Sequence, residues 1–302
     1  MTFGTLADVE TRGKTVLVRV DFNSPIDPSS NIILDDKRFR EHIPTIHALD
    51  ESKVVILAHQ SRPGKKDFTT LEAHADKLER LMGMPVTYVD DIFGRCAKET
   101  IRKSHPGDVI LLENVRFNAE ENLTMKPEDG RNTHLARKLA SMADLFVNDA
   151  FGTAHRSQPT ITGLPFAMKT VAGLLMEKEA SMLSRVFTSA PNPVTFVLGG
   201  TKVDDSIAVA GHVLANGTAD LVAIIGVVAN VFYLAKGIDI GEPSRNLIRT
   251  LGYEDEVAKA RAILDVYGEK VLLPGYVAVK EKAERREYEV DAIPKDCQIL
   301  DM

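Results

Sequence analysis

Cysteine is scarce in this chain: of 302 residues only Cys96 and Cys297 carry a thiol. They stand far apart and outside any metal-ligand spacing, which argues against a disulfide framework and for a reducing compartment. Both read as small buried side chains. Long apolar runs are missing as well, none approaching the roughly 20 residues of a membrane-spanning helix. The opening Met1-Thr-Phe-Gly-Thr-Leu-Ala-Asp8 has neither the charged nor the apolar segment of an export signal, so a cytoplasmic location is expected. Excess positive charge is absent too. A net charge of −6 at pH 7 repels polyanions, and neither nucleic acid nor membrane is expected as a partner. There is no short-period repeat and no low-complexity tract. A hydrophobic content of 44% is ordinary for a globular protein, and the length suffices for two domains with full cores.

What is present is a figure repeated through the first half. Four apolar runs each end in a polar elbow that delivers an arginine close behind: Val16-Leu-Val-Arg19 with Asp21 and Asn23, Val54-Val-Ile-Leu-Ala-His59-Gln-Ser-Arg62, Val109-Ile-Leu-Leu-Glu-Asn-Val-Arg116, and Leu145-Phe-Val-Asn-Asp-Ala-Phe-Gly-Thr-Ala-His155-Arg156. Short β-branched runs alternating with helical stretches predict a parallel sheet, whose ligands sit beyond the carboxyl ends of the strands. Arginine's planar fork grips phosphate or carboxylate through paired hydrogen bonds, so arginines converging on one crevice point to a small, multiply charged anion. A single loop arginine is ordinarily a solvated surface group; the fourfold repeat gives the pattern its weight. Asp21 and Asn23, two apart at a strand end, are expected to face one ligand. Carboxylate plus amide suits hydroxyls or the rim of a carboxylate better than bare phosphate. His59 and Arg62 form a His-x-x-Arg elbow and His155-Arg156 a second pair, with His59 the stronger candidate. No Ser-His-Asp arrangement and no His/Cys cluster for a protein-held transition metal is apparent.

The pattern predicts an α/β protein of two doubly wound parallel-sheet, Rossmann-like domains, residues 1–165 and 166–302, the second incomplete. In the first, a helix is expected near 41–49 with Arg38 at its start. A Thr69/Glu72 capping box precedes Leu71, Ala75, Leu78 and Met82 at helical spacing. Strands are expected near 85–89, 108–112 and 145–148, with helices near 94–103 and 131–142. Gly163-Leu-Pro-Phe-Ala-Met-Lys-Thr-Val-Ala-Gly173 reads as the joint, running into a helix from Leu174. Beyond it, strands are expected near 194–198, 221–225, 270–273 and 276–279. Helices are expected at 203–214, ended by Asn216-Gly217, and at 255–267. The charged run 280–287 reads as a solvated face or loop.

Gly199-Gly-Thr-Lys202 follows a strand and opens a helix, where backbone N–H groups and a helix N-terminus can meet an anion beside a mobile lysine. It lacks both the P-loop spacing and the dinucleotide Gly-x-Gly-x-x-Gly, and reads equally well as a tight turn with an exposed lysine. Gly226 ends the next strand in the same way.

These stretches resemble one family, phosphoglycerate kinase, and its archaeal branch in particular. The matching segments are Arg19-Val-Asp-Phe-Asn-Ser-Pro25, Asp36-Lys-Arg38 with Pro44-Thr-Ile46, His59-Gln-Ser-Arg-Pro63, Leu111-Leu-Glu-Asn-Val-Arg-Phe117, Asn148-Asp-Ala-Phe-Gly-Thr-Ala-His-Arg156, Leu174-Leu-Met-Glu-Lys-Glu179 and Leu198-Gly-Gly-Thr-Lys-Val203, in the family's order. The resemblance implies reversible phosphoryl transfer between ATP and 3-phosphoglycerate, giving ADP and 1,3-bisphosphoglycerate, as in glycolysis and gluconeogenesis. It implies that His59, Arg62, Arg116 and Arg156 hold the 3-phosphate while Asp21 and Asn23 fix the hydroxyl and carboxylate end. Arg38 would act catalytically on the transferring group and Lys202 on the nucleotide phosphates, beside Gly199, Gly200 and Gly226. Mg²⁺ is implied as the companion of ATP or ADP, with no metal held by the chain alone. A monomer or weak homodimer is expected.

Three departures stand out. Ser206 occupies a place where many members carry a second lysine, and Val227 one where a glycine is usual. Family members also continue past Leu300-Asp-Met302 to a ribose-binding carboxylate and a glycine-rich phosphate and Mg²⁺ loop, so a C-terminally truncated chain, inactive by itself, is expected. The competing readings are a non-catalytic module binding a phosphorylated metabolite and, on weaker grounds, a nucleotide-linked oxidoreductase.

Overall fold

The computed structural model describes residues 3–188, 190–281 and 284–301. Its first compact unit, Met1–Ser184, contains β1 (Thr15–Arg19), β2 (Ile26–Asp27), β3 (Ile32–Ile33), α1 (Lys37–His47), β4 (Lys53–Leu57), α2 (Glu72–Met82), β5 (Val86–Val89), α3 (Arg95–Lys103), β6 (Val109–Leu112), α4 (Pro127–Gly130), α5 (His134–Ala140), β7 (Leu145–Asn148), α6 (Leu164–Ala167) and β8 (Thr170–Ala172). Helix α7 (Leu174–Thr188) begins in this unit and ends in the next. Six strands form one parallel sheet in the order β5-β6-β4-β1-β7-β8.

The two-residue period of a strand explains why its central runs are apolar throughout. Val16, Val18, Val54, Ile56, Val109 and Leu111 face one way, into a core with Phe39 and Ile46 of α1 and Ala75 and Leu78 of α2. Leu17, Val55, Leu57, Ile110, Leu112 and Phe146 face the other, against Ala97 and Ile101 of α3 and Leu135 and Leu139 of α5. Both faces are covered, so no alternation of polar residues is needed.

The second unit, Arg185–Met302, contains β9 (Thr195–Leu198), α8 (Val203–Ala215), β10 (Leu221–Ile224), α9 (Gly226–Lys236), α10 (Glu242–Leu251), α11 (Glu256–Tyr267), β11 (Val271–Leu272), β12 (Tyr276–Glu281), β13 (Glu284–Glu289) and β14 (Ile299–Asp301). The strands β11-β10-β9 form a parallel sheet, and β13-β12-β14 a separate antiparallel one. Val222, Ile224 and Val271 enter a core with Val203 and Ile207 of α8 and Val231 and Phe232 of α9, whereas Val197 on the other face is 63% exposed.

Several expectations change. The compact units divide at 184/185 rather than 165/166 because β8 completes the first sheet and ties the intervening segment to it. Thr69 does not cap α2; the Leu71 N–H donates instead to Glu113 Oε1 at 3.0 Å, a carboxylate delivered from the end of β6. The charged run 280–287 is strand, not loop: β12 and β13 pair antiparallel with Arg286 3.1 Å from Glu281, while Lys282, Ala283 and Met302 lie outside the described residues. Cys297 is buried, but Cys96 is exposed on the outer side of α3. Helices α9 and α10, with no expectation attached, complete the second unit.

Candidate active site

The elbows after β1, β4, β6 and β7 share the carboxyl rim of one sheet, and backbone hydrogen bonds stitch them together. Val20 N–H donates to Leu57 carbonyl (3.0 Å), Val115 N–H to Ala58 carbonyl (3.1 Å) and Asp149 N–H to Arg19 carbonyl (2.9 Å). Side chains at these elbows are therefore placed by the sheet itself.

Arg19 lies beneath the rim, fully buried. Its Nε donates to Thr160 Oγ1 (2.9 Å), one Nη to the Val20 carbonyl and the other to His59 Nδ1 (3.1 Å). Glu121, equally buried, stands 3.8 Å from that guanidinium and also accepts from the backbone N–H and hydroxyl of Thr160. Burial pulls the Arg19 guanidinium below its ordinary value, with Glu121 opposing. A guanidinium only donates, so His59 Nδ1 must carry the lone pair and Nε2 the proton. Burial first, then the charges of Arg19, Arg116, Arg156 and Arg38, hold the His59 imidazole well below its usual range. It is a neutral donor.

Arg116 follows β6 in a short 3-10 turn, Val115–Phe117. One Nη donates to the Ser61 carbonyl, while Nε is buried with no partner among the described residues. Burial, with Arg156 and Arg19 nearby, lowers its guanidinium to about 10. A buried N–H without an acceptor is costly, and a bound oxyanion would satisfy it. Ser61 reaches Arg116 because its φ is +55°, a left-handed conformation that a non-glycine residue adopts at a cost of about 1 kcal/mol. The same turn sends the Ser61 N–H to Asn23 Oδ1 at 2.7 Å.

Asp21 is almost buried and forms an ion pair with half-exposed Arg38, at the first turn of α1. Its other oxygen accepts from the Asn23 N–H at 3.2 Å. A side chain on Gly152 would come within 2.6 Å of Asp21 Oδ2, so the fourth elbow, after β7, lies against this pair only because residue 152 is glycine. Arg62 and Arg156 are exposed on the rim, their guanidinium groups making no hydrogen bond to any described residue. The structure thus links Asp21, Asn23 and Arg116 through Ser61, holds His59 on Arg19, sets Arg38 beside Asp21, and leaves Arg62 and Arg156 exposed on the rim. His155 is exposed and outside this network.

In the second unit, the turns after β9 and β10 touch. Gly200 and Gly226 have φ of +98° and +60°, and a side chain on Gly226 would lie 3.1 Å from Gly200 N. Gly199 passes similarly close to Ile225. Lys202 is exposed at the N-terminus of α8, Ser206 lies one turn on, and Val227 is half-buried in the first turn of α9.

Arg19, Ser61, Glu121 and Thr160 of this network carried no role from sequence, nor did His42 and Asp149, which are buried beside Asp21 and joined by a 2.7 Å contact. Arg19 was visible as the end of an elbow, and Asp149 lies inside the Asn148-to-Arg156 motif. His42 and Glu121 gave no signal, because a histidine in a helix and a glutamate in a polar stretch look solvated until the fold buries them.

The phosphoglycerate kinase family profile matches residues 6–302. Phosphoglycerate kinase of Methanocorpusculum labreanum is 83% identical over 302 residues, which is 100% of this chain and 75% of that protein. Phosphoglycerate kinase of Methanothermus fervidus is 48% identical over 294 residues, covering 97% of this chain and 72% of that one. The crystal structure of phosphoglycerate kinase from Pyrococcus horikoshii OT3 superposes with a TM-score of 0.91 at 42% identity, over 98% of this chain and 74% of the other.

Proposed function

This chain belongs to the phosphoglycerate kinase family, and from that premise we propose how its residues carry reversible phosphoryl transfer between ATP and the carboxylate of 3-phosphoglycerate. The observation that carries the assignment of the acceptor site is the orphaned, buried Arg116 Nε among the charges of Arg19 and Arg156. Arg116, Arg156 and Arg62 hold the 3-phosphate, and neutral His59 donates to it from Nε2. Asp21 and Asn23 take the hydroxyl and carboxylate end, where a negative side chain repels phosphate and so fixes which end of the acid enters. Its acceptor carboxylate is already anionic, so no base is required. Positive charge and positioning supply the acceleration. Arg38, paired with Asp21 in the first turn of α1, supplies charge to the transferring group. Lys202, with the backbone of Gly199, Gly200 and Gly226, meets the nucleotide phosphates from the second unit.

Magnesium, as the usual counter-ion of ATP and ADP, arrives with the nucleotide. Among the described residues no three His, Cys, Asp or Glu side chains converge on one point. No helix among the described residues is long and apolar enough to cross a membrane. A cytoplasmic enzyme, monomeric or weakly dimeric, is the accompanying reading. The purely non-catalytic reading is disfavoured by the kinase relatives, and the lack of a dinucleotide fingerprint disfavours the oxidoreductase.

Calorimetric titration with 3-phosphoglycerate tests the acceptor site. The chain is expected to bind the acid, and Arg116→Ala to weaken it by tenfold or more, since a charge-assisted hydrogen bond contributes about 1.5–3 kcal/mol. Unchanged affinity in that variant would remove Arg116 from the phosphate site.

A further inference from the structure

Among the buried residues that the transfer reaction leaves unexplained is His42, 2% exposed in the second turn of α1. Its hydrogen bonds assign its tautomer. The Asp21 backbone N–H, which can only donate, lies 3.0 Å from Nε2, and the Asp149 carboxylate lies 2.7 Å from Nδ1. Nε2 is therefore the acceptor and Nδ1–H the donor. Asp149, fully buried, turns its other oxygen to the first turn of α7, accepting from Leu175 N–H at 2.9 Å and Met176 N–H at 3.3 Å. One carboxylate thus serves a helix N-terminus, where negative charge is favoured, and the imidazole.

Two more observations show that this arrangement is built. A side chain on Gly173 would stand 2.2 Å from Asp149 Oδ1, so the approach requires glycine there. One turn beyond His42 on the same face of α1, Thr45 Oγ1 accepts from the Leu174 N–H at 3.0 Å. Asp21 and His42 also line a cavity of about 430 Å³ together with Arg38, Gly152, Leu175 and Lys178. The acceptor end of the site and the start of α7 border the same space.

We propose that His42 is a positioning residue that couples the acceptor site to α7, the helix in which the first unit ends. It rests on the acceptor-site reading given above. His42 sets the Asp21 backbone through Nε2 and the α7 N-terminus through Nδ1–H and Asp149. A ligand that draws Arg38 or Asp21 toward itself must move or stiffen this relay, because Asp21, His42 and Asp149 are buried and an unpaired polar group there is costly. Occupancy of the site is thereby registered at Leu175 and Met176.

The two halves of the relay separate by substitution. His42→Gln places an amide near Nε2 and keeps an acceptor for Asp21, while leaving Asp149 without its donor. His42→Asn places an amide near Nδ1, keeps the donor for Asp149 and abandons the Asp21 N–H. The test combines calorimetric titration with 3-phosphoglycerate and hydrogen exchange at the Leu175 and Met176 amides, with β4 amides reporting overall stability. In the unmodified chain the acid is expected to slow exchange at 175 and 176. His42→Gln is expected to bind within about threefold and lose that slowing; His42→Asn is expected to bind about tenfold more weakly. If both variants bind normally and keep the slowing, or if the β4 amides loosen as much as those of α7, the coupling is refuted. Binding by the unmodified chain without any change at 175 and 176 also refutes it while leaving the acceptor site intact. No binding of the acid at all overturns the acceptor-site reading, and the coupling with it.

Discussion

His74 shows how a single side chain can set acid sensitivity without taking part in chemistry. It lies fully buried on α2, within 3.2 Å of Gln60 Oε1, and Gln60 in turn bridges to Ser24 through both halves of its amide. Burial lowers the imidazole from 6.5 to about 4. The unfolded chain therefore binds more protons than the folded one between these values, and stability falls as pH drops from about 6.5 towards 4. The full window corresponds to a loss on the order of 3 kcal/mol from this group. Urea unfolding at pH 7 and pH 5 measures it: the decrease is expected to be smaller in His74→Gln than in the parent chain, and an identical decrease would show that His74 does not carry it. His59 changes stability with the same sign, its imidazole being depressed by burial and by surrounding arginines.

At the scale of elements, one close contact keeps the last elbow in place. Helix α4 and the π-helical turn Pro159–Gly163 meet through Gly130 and Gly163, where a side chain on Gly163 would lie 2.7 Å from the Gly130 carbonyl carbon. The turn carries Thr160, which joins Arg19 to Glu121. Backbone cannot step aside as a flexible side chain can. Gly163→Ala is expected to destabilise the first unit by about 1–3 kcal/mol and to weaken binding of 3-phosphoglycerate through Arg19. Denaturant unfolding and titration check the two effects, and an unaltered unfolding midpoint would mean that α4 is free to shift. This contact could not be read from the sequence, where Gly163 marks a joint between domains. In the structure it is a packing position, because two segments 33 positions apart share one point in space.

At the scale of the whole molecule, the two units possess separate cores: one around the two faces of the six-strand sheet, the other around β10, α8 and α9. Separate cores predict unfolding that departs from a single two-state transition. A ligand that binds the first unit alone should raise only that unit's transition, by about 2.7 kcal/mol at a hundred times its dissociation constant. Scanning calorimetry with and without 3-phosphoglycerate checks this, and one transition shifting as a whole would show that the units unfold together. Much of this architecture was legible, since β-branched runs with covered faces, helices at 3.6 spacing and glycine turns are local consequences of side-chain shape. The elbow arginines and the His59, Asp21 and Asn23 positions were legible for the same reason: a parallel sheet sends every strand's carboxyl end to one rim. The sequence by itself determined that rim and the residue types delivered to it. Tertiary structure alone decided the tautomer of His59 and the pairing of those residues. Burial of Arg19, Glu121, His42 and Asp149 depends on segments distant in the chain that exclude water together, and only exclusion of water turns an ordinary charge or imidazole into a fixed donor or acceptor.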